Sequence, residues 1–156
     1  MTSTGRVRPL PRGVWGVVAT PFHGPERAVD TDSLGQLVSH YASVDVTGLT
    51  VLGVFGEASS LTARERALVL STAAECCALP IVVGVTSLAT APAIDEIDAA
   101  LNTVGERIVA TMVQVNSPRA ETVITHLREI HAATKTPVVL QDYPVASGVT
   151  ISTEAL

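Results

Sequence analysis

The chain has 156 residues, of which 47% are hydrophobic and 16% charged, and its formal net charge is −5. This acidic balance, with no basic cluster beyond the N-terminal arginines, argues against a nucleic-acid groove, and no apolar run reaches the ~18 residues that span a membrane. Residues 1–12 are polar and lack the apolar segment of a signal peptide, so a flexible lead-in is predicted there.

The first elements are two strands with a helix between them. The strands are predicted over residues 14–20 and 48–53, and Asp30 is a candidate N-cap for a helix through Ser43. The core is expected to be aliphatic, because aromatic residues make up only 3% of the chain. That composition suits buried parallel strands covered by helices.

The next helix carries the strongest start signal in the sequence. Thr62 and Glu65 form a capping box, and the helix is predicted to run to about Ala78. Cys76 and Cys77 fall in this helix, where a bridge between neighbours would be strained. They are interpreted as small buried thiols in a reducing compartment, and a cytoplasmic location is expected.

The second half of the chain repeats the alternation. In order, it predicts a strand over 80–85, a helix opened by Thr90 and Pro92, a strand over 107–115, a helix opened by Pro118, a strand over 137–141, and a break at Pro144 and Gly148. This order predicts a parallel sheet with right-handed crossovers. Either a doubly wound open sheet or a β/α barrel satisfies it.

The end of the sequence favours an incomplete barrel. Residues 152–156 resemble an N-cap and the first turn of a fifth helix without a closing turn. A complete (β/α)₈ barrel takes about 250 residues, and five strands do not close one. We therefore expect residues 13–156 to be the N-terminal part of a barrel, truncated before its sixth strand. An unpaired fifth strand predicts aggregation or obligate oligomerisation.

A glycine-containing loop follows the second strand. It comprises Gly53, Val54, Phe55, Gly56 and Glu57. Two glycines allow a tight turn and a close approach to a ligand. Consecutive backbone N–H groups in such a turn can hold a carboxylate or a phosphate, and Glu57 is a candidate for tying the loop down. Taken alone, a loop of this kind is more often structural than functional.

Short motifs in a fixed order resemble the dihydrodipicolinate synthase/N-acetylneuraminate lyase family of class I aldolases. They are Gly16–Phe22, Leu52–Glu57 with Leu61–Arg66, Pro80–Val85, Asn116–Pro118 with His126, and Pro137–Pro144 with Ser147–Val149. The resemblance implies an α/β TIM barrel, here with about five strands and four to five helices, whose site lies at the carboxyl ends of the strands. It also implies a homo-oligomeric enzyme without a metal or cofactor.

The chemistry implied by the resemblance is that of a carbon–carbon or carbon–oxygen lyase acting on pyruvate or another 2-oxo acid. A lysine on the sixth barrel strand forms an imine with the keto carbon. A tyrosine on the fifth strand moves protons, and the Gly-x-x-Gly-Glu loop binds the carboxylate. This role falls here on Gly53–Glu57.

Several residues depart from the family pattern. Val54 and Phe55 stand where many members carry hydroxyl groups, and Gln141 occupies the tyrosine position. A carboxamide does not titrate near pH 7, so it cannot act as an acid or base. Tyr143 lies close enough to be a candidate replacement. Ala146 stands where dihydrodipicolinate synthases carry an arginine, which argues against that specific activity.

The remaining candidates favour ordinary structural roles. The sole lysine, Lys135, precedes the fifth strand, at the wrong end of a barrel for an imine. His126 and His131 are too far apart around a helix to form a metal pair, and both are predicted to be solvated. His23 is expected in a loop. The carboxylates predicted to form a solvated helix face are Asp95, Glu96 and Asp98.

Two functions therefore stay open. The first is a Schiff-base lyase, aldolase or dehydratase whose lysine lies in a missing C-terminal part, with Gln141 and Tyr143 at the site and a sugar-acid or aromatic 2-oxo acid as substrate. The second is a non-catalytic family member, or a half barrel that pairs with another half, serving as an interaction or ligand-binding module.

Overall fold

The computed structural model of the chain describes residues 10–155. The predicted lead-in over residues 1–12 therefore lies mostly outside the described residues. Strands are β1 (Trp15–Val17), β2 (Phe22–His23), β3 (Ala28–Val29), β4 (Gly48–Val51), β5 (Ile81–Gly84), β6 (Ile108–Gln114) and β7 (Val138–Gln141). Helices are α1 (Thr31–Ser43), α2 (Ala63–Cys76), α3 (Thr90–Val104), α4 (Ala120–Thr134) and α5 (Pro144–Ser147).

Five strands form one parallel sheet in the order β1-β4-β5-β6-β7, which is also their order along the chain. A doubly wound sheet requires the strand order to reverse. Here each right-handed crossover adds its strand to the same edge, so α1 to α4 cover one face of the sheet. The described strands therefore form an open arc of a (β/α)₈ barrel, and the barrel is the correct one of the two predicted architectures.

The core lies between this sheet and its helices. Leu49 and Val51 of β4 and Ile81 and Val83 of β5 are fully buried against the helices. The helix residues of this cluster include Leu34, Val38, Val69, Leu70 and Ala73. A second cluster joins α3 and α4 to β6 through Ile97, Ile130 and Val113. Alternate strand residues point to the opposite face, which leaves that face for the barrel interior.

Two helix starts are as predicted. The Asp30 carboxylate accepts hydrogen bonds from the Ser33 backbone N–H at 3.0 Å and from the Ser33 hydroxyl at 2.8 Å, and these bonds lower the pKa of Asp30. At α2, the Thr62 N–H donates to the Glu65 carboxylate at 2.8 Å, and the Glu65 N–H donates to the Thr62 hydroxyl at 3.2 Å. The capping box is therefore confirmed.

Other local predictions need correction. The antiparallel β2–β3 hairpin was not predicted; its turn contains Gly24 and Arg27, both with positive φ. Pro144 begins the one-turn helix α5 instead of breaking the chain, because proline fits the first helical position. Cys76 is exposed and Cys77 is half-buried, and both thiols are free. Cys76 is exposed because it lies in the last turn of α2, at the helix end. Within residues 10–155, no helix is long and apolar enough to cross a membrane.

Candidate functional site

A cavity of about 550 Å³ opens on the sheet face away from the helices, at the carboxyl ends of the strands. Its lining residues are Val17, Thr50, Gly53, Val54, Phe55, Glu57, Met112, Gln141 and Tyr143. Four of the five sheet strands or their following loops thus contribute side chains to one space. Every predicted site residue except Gly56 lines it.

The loop that follows β4 is held in a sharp turn. Leu52 is buried and adopts a left-handed conformation with φ of 60°, which is uncommon for a residue other than glycine. The Leu52 carbonyl oxygen lies 2.2 Å from the position that a Cβ atom on residue 84 would take. Gly84 of β5 therefore allows the backbone of Leu52 and Gly53 to cross directly over the neighbouring strand.

The other side of the loop is fixed to the end of the first strand. The buried Thr20 hydroxyl donates a hydrogen bond of 2.7 Å to the Gly56 carbonyl. A Cβ atom on Gly56 would lie 3.1 Å from the Val18 carbonyl oxygen, so the two backbones are nearly in contact. Gly56 thus anchors the loop from behind instead of facing the cavity. Thr20 was missed at the sequence level because threonine before proline gives no sign of a distant partner.

The free groups of the loop face the cavity. Residues Val54–Gly56 form a 3₁₀ turn, and the N–H groups of Val54 and Phe55 donate to no other described residue. The first N–H groups of a helical turn have no partner within it, so they are available to an acceptor. Glu57 tightens the loop through its backbone, whose N–H donates to the Val54 carbonyl at 3.1 Å. Its side chain makes no hydrogen bond to another described residue, contrary to the role considered for it.

The opposite wall of the cavity comes from β7 and the residues after it. Gln141 ends β7 in register with Gln114 and is half-buried. Tyr143 has left the strand, precedes α5 and is 41% exposed. Both side chains border the same cavity, so a carboxamide and a phenol face the loop N–H groups across it. The described residues provide no lysine at this end of the sheet.

Glu96 was wrongly predicted to be solvated. Its carboxylate accepts hydrogen bonds of 2.8 Å from both the backbone N–H and the hydroxyl of Thr86, and a further one from the Ser87 hydroxyl. Glu96 thereby fixes the loop after β5, which lines a smaller cavity beside Gln141. Its partners lie nine and ten residues away, beyond the reach of a helix pattern. Asp95 and Asp98 are exposed, as predicted.

The histidines and the lysine also have definite positions. His126 is only 3% exposed, and its Nδ1 lies 2.9 Å from the Thr90 hydroxyl, so the prediction of a solvated residue is wrong. His131 is half-buried against the Thr136 carbonyl at 2.8 Å. His23 is exposed in β2, and Lys135 is exposed after α4, before β7. Within residues 10–155, no three His, Cys, Asp or Glu side chains are grouped to hold a metal.

Parallel strands in chain order, helices on one face and a cavity at the strand ends define this chain as part of a (β/α)₈ barrel, the class whose sites lie at that end. The sequence profile of the Dihydrodipicolinate synthetase family matches residues 10–156. The chain therefore belongs to this family, whose characterised members include lyases.

Individual relatives agree with that assignment. A 4-hydroxy-tetrahydrodipicolinate synthase from Methanococcoides burtonii is 30% identical over 92% of this chain and 49% of its own length. The dihydrodipicolinate synthase structure from Rhodopseudomonas palustris is similar with a TM-score of 0.77 at 28% identity, covering 92% of this chain and 48% of its own. That from Acinetobacter baumannii, solved with pyruvate, has a TM-score of 0.80 at 25% identity, covering 92% and 50%. The chain spans about half the length of these relatives.

Replacing Gly84 tests the crossing of the two backbones. Gly84→Ala would place a methyl group against the Leu52 carbonyl, so we expect the free energy of unfolding to fall by about 2–3 kcal/mol, measured by urea denaturation. Gly53→Ala is the matched control, because its φ is −73° and its Cβ would lie 3.7 Å from the nearest atom. Equal stability of the two variants would contradict this account of the loop.

Burial of His126 predicts a pH dependence of stability. Burial lowers the pKa of His126 below its usual 6.5, although the charge of Glu129 opposes the shift. The unfolded chain therefore binds the proton first, and the free energy of unfolding should fall as the pH drops below 6.5, by at most about 1.4 kcal/mol per pH unit. Denaturation curves between pH 7.5 and 5.5 measure this slope. His126→Gln should flatten it, whereas replacing the exposed His40 by Gln should not.

Proposed function

We propose that this chain supplies the carboxylate-binding part of a Schiff-base lyase site that acts on pyruvate or another 2-oxo acid. The observation that carries the proposal is the pair of free N–H groups at Val54 and Phe55, directed to a cavity that Gln141 and Tyr143 also border. Backbone N–H groups hold an anion without needing a charged side chain. The pyruvate complex of the Acinetobacter baumannii relative supports this choice of ligand class.

The keto carbon would react with a lysine carried on a sixth barrel strand, beyond the five described here. An imine formed there, once protonated, withdraws electrons from the adjacent carbon and stabilises a carbanion. Lys135 does not fit this role, because it follows α4 and precedes β7, at the amino ends of the strands. We propose that the chain alone is inactive and that the amine comes from the C-terminal half of the barrel.

Proton transfer at this site would differ from that of relatives with a tyrosine on the fifth strand. The Gln141 carboxamide can donate and accept hydrogen bonds but does not exchange a proton near pH 7. The Tyr143 hydroxyl is the titratable group of the described cavity wall that we propose for that step. Val54 and Phe55, 38% and 67% exposed, place apolar side chains at the cavity mouth. They favour a 2-oxo acid with an aromatic or other apolar substituent.

Removing one loop N–H group tests carboxylate binding. Val54 is the first residue of the 3₁₀ turn and Gly53 is extended, with ψ of −176°, so proline fits at position 54 without changing the backbone. Val54→Pro should weaken pyruvate binding about tenfold or more, as expected for the loss of a hydrogen bond to a charged group. NMR titration of the backbone N–H signals of residues 53–57 measures this binding.

Val54→Ala is the matched control for this experiment, because it shortens the side chain and keeps the N–H group. Methyl pyruvate, which lacks the negative charge, should bind weakly to both variants. Equal pyruvate affinity of the proline and alanine variants would overturn the proposed role of the loop.

A second candidate function is a non-catalytic, self-associating binding module. Gln141 in place of a titratable group favours it, as do the open edges of β1 and β7, each of which pairs with one strand among residues 10–155. In this case the half barrel would pair with a second copy across its exposed inner face. The free thiols of Cys76 and Cys77 fit a reducing cytoplasm under either function.

Borohydride reduction separates the two functions. A protein that continues through the sixth strand should form a covalent adduct with pyruvate, detected by intact mass, if the site forms an imine. The chain described here should form no adduct at Lys135, and Lys135→Arg should leave the digest unchanged. A continued protein that carries the sixth-strand lysine and still yields no adduct would support the non-catalytic module.

A further inference from the structure

A second cavity, of about 400 Å³, lies between the start of α3, the loop after β6 and one face of α4. It is lined by Thr90, Asn116, Glu121, Thr122, Thr125, His126 and Glu129. None of these residues borders the cavity of the candidate active site. Its volume falls in the range of small-molecule sites.

Two buried polar atoms at this cavity have no hydrogen-bond partner among the described residues. One is Nε2 of His126, whose other ring nitrogen is engaged by the Thr90 hydroxyl at 2.9 Å. The other is Oδ1 of Asn116, whose amide nitrogen donates to the Leu88 carbonyl at 3.0 Å. That bond fixes which end of the amide is free. Since buried polar groups nearly always have partners, two unpaired atoms at one cavity indicate a missing ligand.

The chemistry of the lining defines the ligand. Asn116 Oδ1 is an acceptor only, and His126 Nε2 is an acceptor when Nδ1 carries the ring hydrogen and donates it to Thr90. Glu121 and Glu129 add negative charge, and no lysine or arginine belongs to the lining. An anion is disfavoured by these carboxylates, and no grouping of three metal-ligating side chains occurs in residues 10–155. A ligand that donates hydrogen bonds and carries positive charge satisfies every group.

We infer that this cavity binds the ammonium group of a small primary amine. The ammonium hydrogens would be accepted by Asn116 Oδ1 and His126 Nε2, and Glu129 would neutralise the charge at the opening. An ammonium ion has three donors and no acceptor, which matches a lining with two unpaired acceptors and two carboxylates. This site is independent of the proposed lyase function, because the two cavities share no residue.

The test uses the full chain and ethylammonium chloride as the probe. We expect a saturable change in the NMR signals of His126 and Asn116, with ethanol as the neutral isostere and sodium acetate as the anion producing none. Sodium chloride at equal concentration controls for ionic strength. Equal responses to ethanol and ethylammonium, or the absence of saturation, would overturn the inference.

Variants on the cavity rim complete the test. Glu129→Gln should weaken ethylammonium binding about threefold or more, the range of a partly exposed charge pair. Glu106→Gln is the matched control, since Glu106 is exposed in the 3₁₀ turn before β6 and lies outside the lining. Circular dichroism checks that both variants are folded. An unchanged affinity of folded Glu129→Gln would count against an ammonium ligand.

Discussion

The crossing of the Leu52 backbone over Gly84 is the contact on which the rest of the candidate site depends. It requires a left-handed leucine on one strand and the absence of a side chain on the next. Two neighbouring strands thus direct the following loop across the strand ends, and Thr20 holds the far side of that loop to the first strand. Three strands together fix the free N–H groups of Val54 and Phe55, so their direction is a property of the sheet.

This dependence on backbone explains how the site can diverge without losing its framework. A loop that binds through N–H groups tolerates valine and phenylalanine where relatives have hydroxyl side chains, because the N–H groups do not change with the residue. Proton transfer, by contrast, relies on a titratable side chain, and Gln141 cannot supply one. Anion binding and acid–base chemistry are therefore separable in this family, the first carried by the main chain and the second by single side chains.

Much of the fold was predictable from the sequence because its signals are local. Alternating apolar runs located the five sheet strands, and the Thr62 capping box located α2. The loop Gly53–Glu57 and Gln141 were predicted to face one another from short motifs. The errors concern residues whose partners are distant in sequence: Glu96 bonds to Thr86 and Ser87, and His126 bonds to Thr90, 36 positions away. Helix periodicity carries no information on such contacts.

The sheet order has a consequence for synthesis of the protein. Each strand pairs in parallel with the strand one βα unit earlier, as Leu49 does with Ile81 and Thr111 with Val138. No strand of the arc waits for a later segment to find its first neighbour. The topology therefore permits stepwise growth on the ribosome, where every emerging strand docks on an edge that is already in place. During translation, the exposed edge moves along the sheet one strand at a time.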